Sequence, residues 1–296
     1  MPNLTRRGFT LVELLIAIVI LGIVSAALYR VLVNNQRIYQ AQTQHIDLQQ
    51  NIRAAVTILP ADLRELDATD GDIKAMSASA ITIRAMRYLA IICSPPVLDG
   101  VGTTNITMII RRSPFWGVRG INTTTDSLFI YYEGNESSRK DDDWALARPT
   151  LTASTVCPDA AAKPGIAVTV NFANIGGGLL PNTPGAILNG APVRGFETVT
   201  YQVYQPVGDT SYYIGLQMGA NARQPVIGPV LSNGLQFAYY DSTGVVTADR
   251  FRVARIDITV RGKTAQPIRT GTGSATLTNA VDSVTTSVAL RNNRRF

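Results

Sequence analysis

The sequence of 296 residues contains a single His and two Cys, and only 16 % of its residues are charged. One His excludes a multi-histidine metal centre, and two Cys are too few for a disulfide-dense scaffold or a tetrahedral zinc site. The sequence contains no GxSxG, HExxH or P-loop motif. At 46 % hydrophobic residues it is too apolar for a disordered tail. These absences predict no catalytic residue, no metal site and no cofactor, which favours a structural or binding protein over an enzyme.

The charge balance is mildly basic, with 27 Lys and Arg against 21 Asp and Glu and a formal net charge of +6. Arg6 and Arg7 are the only charged residues among the first eight, so the remaining chain carries +4 (6 − 2). So small a surplus on a long chain gives little support for nucleic-acid binding. The charge therefore does not favour nucleic acid as a partner.

The dominant positive feature is an apolar run of 21 residues, 9–29, in which Glu13 is the only charged side chain. About 20 apolar residues suffice for a membrane-spanning helix. Arg6 and Arg7 precede the run, and the positive-inside rule places such a flank in the cytoplasm and the following chain across the membrane. A cleavable secretory signal, with residues 24–26 (VSA) as its small-residue site, and a plain signal anchor remain open. Neither explains Glu13, because an intramembrane carboxylate is costly unless it is paired or protonated.

Residues 6–14 (RRGFTLVEL) resemble the class III leader and cleavage site of type IV pilins and type II secretion pseudopilins. The resemblance implies that residues 1–8 form a basic leader, with Arg6 and Arg7 as its charges. It implies that a prepilin peptidase cuts after Gly8 on the cytoplasmic side and that the new N-terminal residue, Phe9, is N-methylated. It also implies that Glu13, the fifth residue of the mature chain, acts in filament assembly. The rest of the chain matches these proteins only in general architecture.

The implied role of Glu13 has a physical basis. Cleavage after Gly8 exposes a cationic amine on Phe9, with which the Glu13 carboxylate of a neighbouring subunit can pair. The pair removes two unpaired charges from apolar surroundings at once, which is the condition for tolerating a buried ion pair. Glu13 would then set the axial register of each incoming subunit. In the alternative interpretation, the acid stays protonated or reaches back to the headgroups.

The helix is expected to continue beyond the membrane, because residues 9–59 contain no Pro and only one Gly, Gly22. Pro60 is expected to end it, since the residue before a proline is pushed out of helical geometry. In residues 30–59, apolar or small side chains recur at helical spacing, and the stripe from Ile38 to Leu59 is expected to cover one face of a sheet. His45 lies on this stripe and is expected to be packed or interfacial.

Beyond residue 60 the sequence changes to short runs of β-branched and aromatic residues separated by Gly, Pro, Asn and Ser. Several runs alternate as half-buried strands do, for example with Ile256, Ile258 and Val260 on one face. A long N-terminal helix packed on antiparallel sheet makes an α+β fold. Residues 134–164 and 173–195 are interpreted as exposed loops. The predicted strands are 80–84, 88–93, 105–111, 127–133, 166–172, 198–204, 211–218, 235–241, 251–261 and 282–290.

The predicted organisation has four parts. They are a leader (1–8), a membrane or filament-core helix (9–29), an amphipathic extension of the helix (30–59) and an extracytoplasmic β-rich domain (60–296). Within that domain Cys93 and Cys157 are candidates for a disulfide, because an extracytoplasmic compartment permits one. Two acidic groups, residues 67–72 and 141–143, lack the spacing of an EF-hand calcium loop and are interpreted as polar loops.

Residues 252–260 (RVARIDITV) and 286–292 (TSVALRN) resemble the C-terminal end of PilW-like minor pilins. The lack of Pro between residues 9 and 59 and the size of the chain differ from major pilins, and the retained Glu13 differs from K-type tip pseudopilins. The resemblance therefore implies a minor type IV pilin that is processed and then assembled into a pilus, or primes its assembly.

Implied partners are other pilins in a helical filament, the prepilin peptidase and methyltransferase, an assembly platform with its ATPase, and the inner membrane. The implied location is a single pass of the inner membrane with the N-terminus in the cytoplasm and the C-terminal domain in the periplasm, followed by the pilus or cell surface. A J-type pseudopilin of a type II secretion system is the alternative. A membrane-anchored DNA-uptake or adhesin pilin is a further one.

Overall fold

A computed structural model describes residues 10–96, 105–117, 119–133, 143–158, 162–171, 187–269 and 276–291. The described residues form one long helix, α1 (Leu11–Arg64), followed by fourteen strands. The strands are β1 (Ile73–Met76), β2 (Ala80–Ser94), β3 (Asn105–Arg111), β4 (Trp116–Gly117), β5 (Asp126–Tyr132), β6 (Asp143–Val156), β7 (Pro164–Asn171), β8 (Pro192–Tyr204), β9 (Tyr212–Met218), β10 (Gln224–Tyr240), β11 (Arg255–Lys263), β12 (Ile268–Arg269), β13 (Leu277–Thr278) and β14 (Val281–Ala289).

Helix α1 has 54 residues, which corresponds to a length of about 80 Å. Pro60 lies inside the helix, so the prediction that it ends the helix is wrong. A proline in a helix interior costs about 3 kcal/mol. The extra turn places Leu63 in the core, where it is fully buried beside Leu59 and Leu66. Because burying one such side chain contributes about 1.5–3 kcal/mol, tertiary packing outweighs the local signal.

The C-terminal half of α1 covers one face of an open, seven-stranded antiparallel sheet with the order β1-β2-β8-β9-β10-β11-β14. Ile256, Ile258 and Val260 all point into the core beneath the helix, as predicted. Gly262 lets α1 approach β11 closely, because a Cβ there would lie 2.7 Å from Leu48 Cδ1. Helix and sheet therefore share a single apolar core, and the α+β prediction is confirmed.

The predicted stripe on α1 is buried only from Leu48 onward, with Ala41 partly buried beside the same cluster. Leu48 and Ile52 are buried against Ile268 and Ala280, which lie in and beside the small β12–β13 sheet. Ile38, by contrast, is 48 % exposed. His45 is exposed too, so its predicted packing is wrong within the chain. A contact of His45 with another subunit stays a prediction.

Strands β2 and β8 extend beyond the open sheet and complete a closed barrel with β3, β5, β6 and β7. The pairings run β2–β3–β7–β6–β5–β8 and back to β2, and all are antiparallel. The barrel has its own core, separate from the one under the helix. Its fully buried members include Ala90, Ile92, Ile106, Met108, Ile110, Leu128, Ile130, Ala147, Val168, Val170 and Val193.

Three sequence-based predictions of boundaries are wrong, all of them at strands of the barrel. Residues 134–164, predicted as a loop, contain the whole of β6. Its buried side chains in this part are the small Ala145 and Ala147, followed by Pro149, and together they give no strong hydrophobic alternation. The predicted strands 80–84 and 88–93 are one strand, β2. In the second predicted loop, residues 173–186 lie outside the described residues and Pro192 already begins β8.

A disulfide joins Cys93, near the end of β2, to Cys157, just after β6. The two Cα atoms are 5.6 Å apart, and both residues are buried. Because β3 and β7 separate β2 from β6 in the ring of strands, the bond crosses one end of the barrel. It ties together strands that share no backbone ladder.

Replacing both Cys93 and Cys157 by Ser is expected to lower the free energy of unfolding by about 2–5 kcal/mol, because the unfolded chain regains the freedom that the cross-link removes. Hydrogen exchange on the full-length protein in detergent should show the largest acceleration in β3, β6 and β7. Equal acceleration in β9 to β11 would contradict a cross-link that acts on the barrel.

Candidate functional site

The start of α1 is held by a reciprocal cap between Thr10 and Glu13. The Glu13 N–H donates to Thr10 Oγ1 at 3.3 Å, while Glu13 Oε2 accepts from Thr10 N at 2.9 Å and from Thr10 Oγ1 at 3.0 Å. This capping box satisfies backbone donors that the first helical turn leaves unpaired. The helix therefore begins two residues after the predicted N-terminus of the mature chain. Gly8 and Phe9, like Arg6 and Arg7, lie outside the described residues.

The same cap orients the Glu13 carboxylate toward the N-terminal end of the helix, where the helix dipole favours negative charge. Both Thr10 donors use Oε2. No described residue donates a hydrogen bond to Oε1. The carboxylate is thus fixed in position with one oxygen available to a cation from outside the described chain.

The N-terminal half of α1 presents apolar side chains on every side. Between residues 11 and 32 the large apolar side chains are 48 to 79 % exposed. In the described chain α1 is the one helix whose length and composition suit a membrane span. Continuous apolar surface of this extent marks a membrane or protein contact. This half of α1 therefore requires lipid or other protein around it.

A second polar site lies where β2 passes from the open sheet into the barrel. Met86 pairs with Phe196 and Tyr88 pairs with Gly195, so Arg87 is an extra residue in a β-bulge. Gly195 is required there, because a Cβ would lie 2.0 Å from the Tyr88 ring. Bulges redirect side chains, and this one turns Arg87 toward the end of α1.

Arg87 connects the helix to the barrel through two carboxylates, of which Glu197 is buried and Asp62 is partly exposed. Its Nη1 lies 3.2 Å from Asp62 Oδ1 on α1, and its Nε lies 3.2 Å from Glu197 Oε2 on β8. Arg119 continues the network, with Nη2 3.1 Å from Glu197 Oε2 and Nη1 2.9 Å from Asp126 Oδ2. Two arginines thus bridge three carboxylates that belong to α1, β5 and β8.

Burial shapes the ionisation of this network, which we call the Arg87 joint (Asp62, Arg87, Arg119, Asp126 and Glu197). Glu197 is 3 % and Asp126 is 2 % exposed. Hydrogen bonds to Asp126 raise the pKa of Arg119 and keep it charged. Burial, reinforced by the Asp62 carboxylate, raises the pKa of Tyr201, whose Oη donates to Asp62 Oδ2 at 2.8 Å. The joint is a fully bonded structural link, because each of its charges meets an opposite charge.

None of the residues of this joint could be assigned a role from the sequence. Asp62 follows the expected helix stop, and Arg87 falls in the gap between two predicted strands. A bulge has no sequence signature in a single chain, and the order of strands brings Glu197 and Arg87 together from positions 110 residues apart. The joint is therefore a finding of the structure alone.

The acidic residues 67–72 form a turn, as interpreted. Asp67 Oδ1 accepts from Thr69 N at 3.0 Å and from Thr69 Oγ1 at 2.6 Å, and Asp72 Oδ2 accepts from Asp67 N at 2.9 Å. Burial raises the pKa of Asp72. Within the described ranges, no three His, Cys, Asp or Glu side chains are grouped to hold a metal ion. Asp141 and Asp142 lie outside the described residues.

Comparison with known protein families gives a match in the N-terminal segment. The family described as prokaryotic N-terminal methylation motif matches residues 4–29, a segment that contains the predicted cleavage position and Glu13. This match supports a function of the type IV pilin or pseudopilin kind, with prepilin-type processing and N-methylation. No curated protein and no solved structure matches the chain.

Replacing Arg87 by Leu is expected to destabilise the full-length protein by about 1.5–3 kcal/mol, because Glu197 and Asp62 each lose a charged hydrogen-bond partner, although Glu197 keeps Arg119. Thermal or urea unfolding in detergent measures the change. Arg255→Leu is the matched control. Its Nε pairs with Asp257 at 3.2 Å on a partly exposed face, where removing a pair costs about 0–1 kcal/mol. Equal losses in the two variants would contradict a buried joint.

Proposed function

We propose that the protein is a minor type IV pilin-like subunit. Prepilin peptidase processes it, and the mature chain is assembled into a pilus or primes pilus assembly. The observation that supports the proposal best is the junction at residues 8–13, where a cleavage motif runs directly into a capped, exposed apolar helix. The chain would act by assembling and would itself be the substrate of the peptidase and methyltransferase.

The start of α1 is consistent with each step of this proposal. Arg6 and Arg7 hold the leader on the cytoplasmic side of the inner membrane by the positive-inside rule. Cleavage after Gly8 leaves Phe9 as a cationic N-terminus, one residue before the N-cap Thr10. The apolar half of α1 anchors the subunit, and the β-rich domain lies in the periplasm until the filament carries it to the cell surface.

Glu13 supplies the directional contact of the proposed assembly. Its Oε2 is held by Thr10, so Oε1 is the atom that would receive the Phe9 amine of a neighbouring subunit. Pairing satisfies two charges that lipid leaves unpaired. A platform protein with its ATPase would extract the anchored subunit into a helical filament of other pilins.

Intact-mass analysis of the mature protein tests the processing step. The expected mass lacks residues 1–8 and includes one added methyl group on Phe9. Gly8→Ala should slow cleavage. Gly22→Ala is the matched control, because a Cβ at Gly22 meets no atom within 4 Å. A mature chain that begins at Ala27 would support a secretory signal and contradict the proposal.

Glu13→Ala is expected to leave membrane insertion and cleavage intact but to lower incorporation into filaments by about 100-fold or more, since breaking a buried pair costs about 3–5 kcal/mol. Incorporation is measured by immunoblotting of sheared filaments. Glu13→Gln separates charge from capping, because Gln also completes a capping box, and it should fail like Glu13→Ala. Thr10→Ala loses the cap but keeps the acid and should assemble. Normal assembly of Glu13→Gln would contradict the charge-pairing role.

The alternative function, a J-type pseudopilin of a type II secretion system, uses the same N-terminal chemistry. A deletion strain distinguishes the two. Loss of surface pili with normal exoprotein secretion supports the minor pilin. Loss of secretion with pili intact supports the pseudopilin.

A further inference from the structure

Strand β14 forms a long free edge of the open sheet. It pairs with β11 through nine consecutive residues without a register shift. No described strand pairs with its other side. The sequence of β14, VDSVTTSVA, has neither Pro nor Lys. This edge is therefore regular and has no described strand beside it.

The hydrogen bonds that flank β14 define which backbone groups face the open side. Leu290 N donates to Ala254 O at 3.0 Å, and Thr264 N donates to Ala280 O at 2.9 Å. In an antiparallel ladder the pairs that exchange both bonds alternate with pairs that exchange none, so even-numbered residues bond to β11. The outward N–H and C=O groups belong to the odd-numbered, exposed residues: Val281, Ser283, Thr285, Ser287 and Ala289. Of their N–H groups, that of Ser283 is bonded to Asp282 Oδ1 at 2.8 Å.

Elsewhere in the described chain the free edges are shorter or irregular. Six strands close into the barrel, but the pairing of β5 with β6 stops at Ala147, so residues 150–156 of β6 have a described partner only in β7, next to a register shift between Pro149 and Leu151. The opposite edge of the open sheet is β1, which has only four residues, is interrupted by a register shift and contains Lys74. Short length, bulges and Lys are the usual means of protecting an edge from another strand. The contrast indicates that β14 is left open for a partner.

The direction of β14 restricts that partner. Val284 packs beside Leu48 and Ile52 of α1, and Arg291 N, just after β14, donates to Arg64 O at 3.0 Å. β14 therefore runs along α1 in the same direction, away from the apolar half of the helix. The open sheet has seven strands, each antiparallel to its neighbours. Its two edge strands, β1 and β14, therefore run in the same direction. Copies anchored side by side in one membrane would therefore bring only parallel edges together, and parallel pairing is less stable per residue.

Charge further restricts the partner at the membrane-proximal end of β14. Arg261 and Lys263 lie opposite Ser283 and Val281 on the neighbouring strand. Neither cation has a carboxylate within ion-pair distance in the described chain. Arg261 Nη1 donates to the Asn233 carbonyl of β10 at 3.2 Å, so this side chain would leave that bond and cross the small side chains of β14 to reach a docked strand. Acidic side chains on a docked strand would complement them.

We propose that β14 is a docking edge for an antiparallel strand from a different pilin-like subunit. The docked strand runs toward the membrane and carries acidic side chains near its C-terminal end. This inference rests on the proposed function, because the membrane anchor sets the direction of every subunit. The partner extends the open sheet by backbone hydrogen bonds to the odd-numbered residues, which is the β-augmentation mode of recognition.

Thr285→Pro in the full-length protein tests the proposal in cells. It removes an outward N–H and no bond to β11, so the unfolding midpoint should stay close to that of Thr285→Ala. The Ala variant loses the same Thr259–Thr285 hydroxyl contact but keeps the N–H. We expect Thr285→Pro to lower recovery in sheared filaments by about tenfold, as expected for the loss of about 1–1.5 kcal/mol from one interfacial hydrogen bond. Equal recovery of the Pro and Ala variants would overturn the proposal.

Two further variants keep the test decisive if Thr285→Pro fails to fold. Ala289→Pro removes another outward N–H and is matched by Ala289→Ser. The double change Arg261→Glu and Lys263→Glu reverses the charge without touching the backbone. Each is expected to fold, to be processed after Gly8 and to lose recovery in filaments. Normal recovery of both would overturn the proposal.

Hydrogen exchange identifies the edge directly. In the purified processed protein, the N–H groups of Val281, Thr285, Ser287 and Ala289 should exchange fast, and in sheared filaments they should slow by about tenfold or more. A photo-crosslinker at position 285 should join the chain to a polypeptide of another mass. An adduct of twice the chain's own mass, or unchanged exchange, would overturn the proposal. The same experiments distinguish a failure of the docking proposal from a failure of the proposed function. If the proposed function were wrong, the wild-type protein itself would be absent from filaments.

Discussion

The structure depends on one uninterrupted helix whose apolar side chains have to be removed from water along its whole length. The C-terminal half of α1 buries Leu48, Ile52, Leu59 and Leu63 against its own sheet. The N-terminal half has apolar side chains on all sides, and none of the described strands lies beside it. Because the same helix passes through both environments, the position of the β-rich domain relative to the apolar segment is fixed by the helix itself. Pro60 does not interrupt this continuity, since the turn that follows it contributes Leu63 to the core and Asp62 to the Arg87 joint.

The Arg87 joint explains how a second core is attached to a helix that does not cover it. Strands β2 and β8 are long enough to serve both the open sheet and the barrel, but a change of curvature is needed between them. The bulge at Arg87 provides it, and Gly195 makes room for the Tyr88 ring beside it. Buried ion pairs contribute little net stability compared with apolar packing. Their role here is geometric, because the ion pairs form only when α1, β2 and β8 are in this arrangement.

Several parts of the fold could be predicted from the sequence because their signals are local. The apolar segment with its single acid, the bounds of β3 and the inward face of β11 all follow from residue patterns within a few turns or a single strand. The closure of the barrel could not be predicted, because it depends on pairings such as Leu89 with Arg194 and Asn105 with Asn171. Neither could β6, whose inward Ala residues are small. The Arg87 joint needs both the closure and the bulge, so it was out of reach for the same reason.

Assembly from a membrane requires directional contacts, and the structure offers them at both ends of the protein. Lipid tails are as apolar as Leu, so moving α1 from lipid into a bundle of helices gains little hydrophobic free energy. Such a transfer leaves the register of the helices undetermined. A fixed carboxylate at Glu13 defines the position along the helix axis, and a strand edge at β14 defines the rotation about it. In the proposed filament the two contacts are complementary, because an ion pair at one point permits rotation and a backbone ladder parallel to the helix does not.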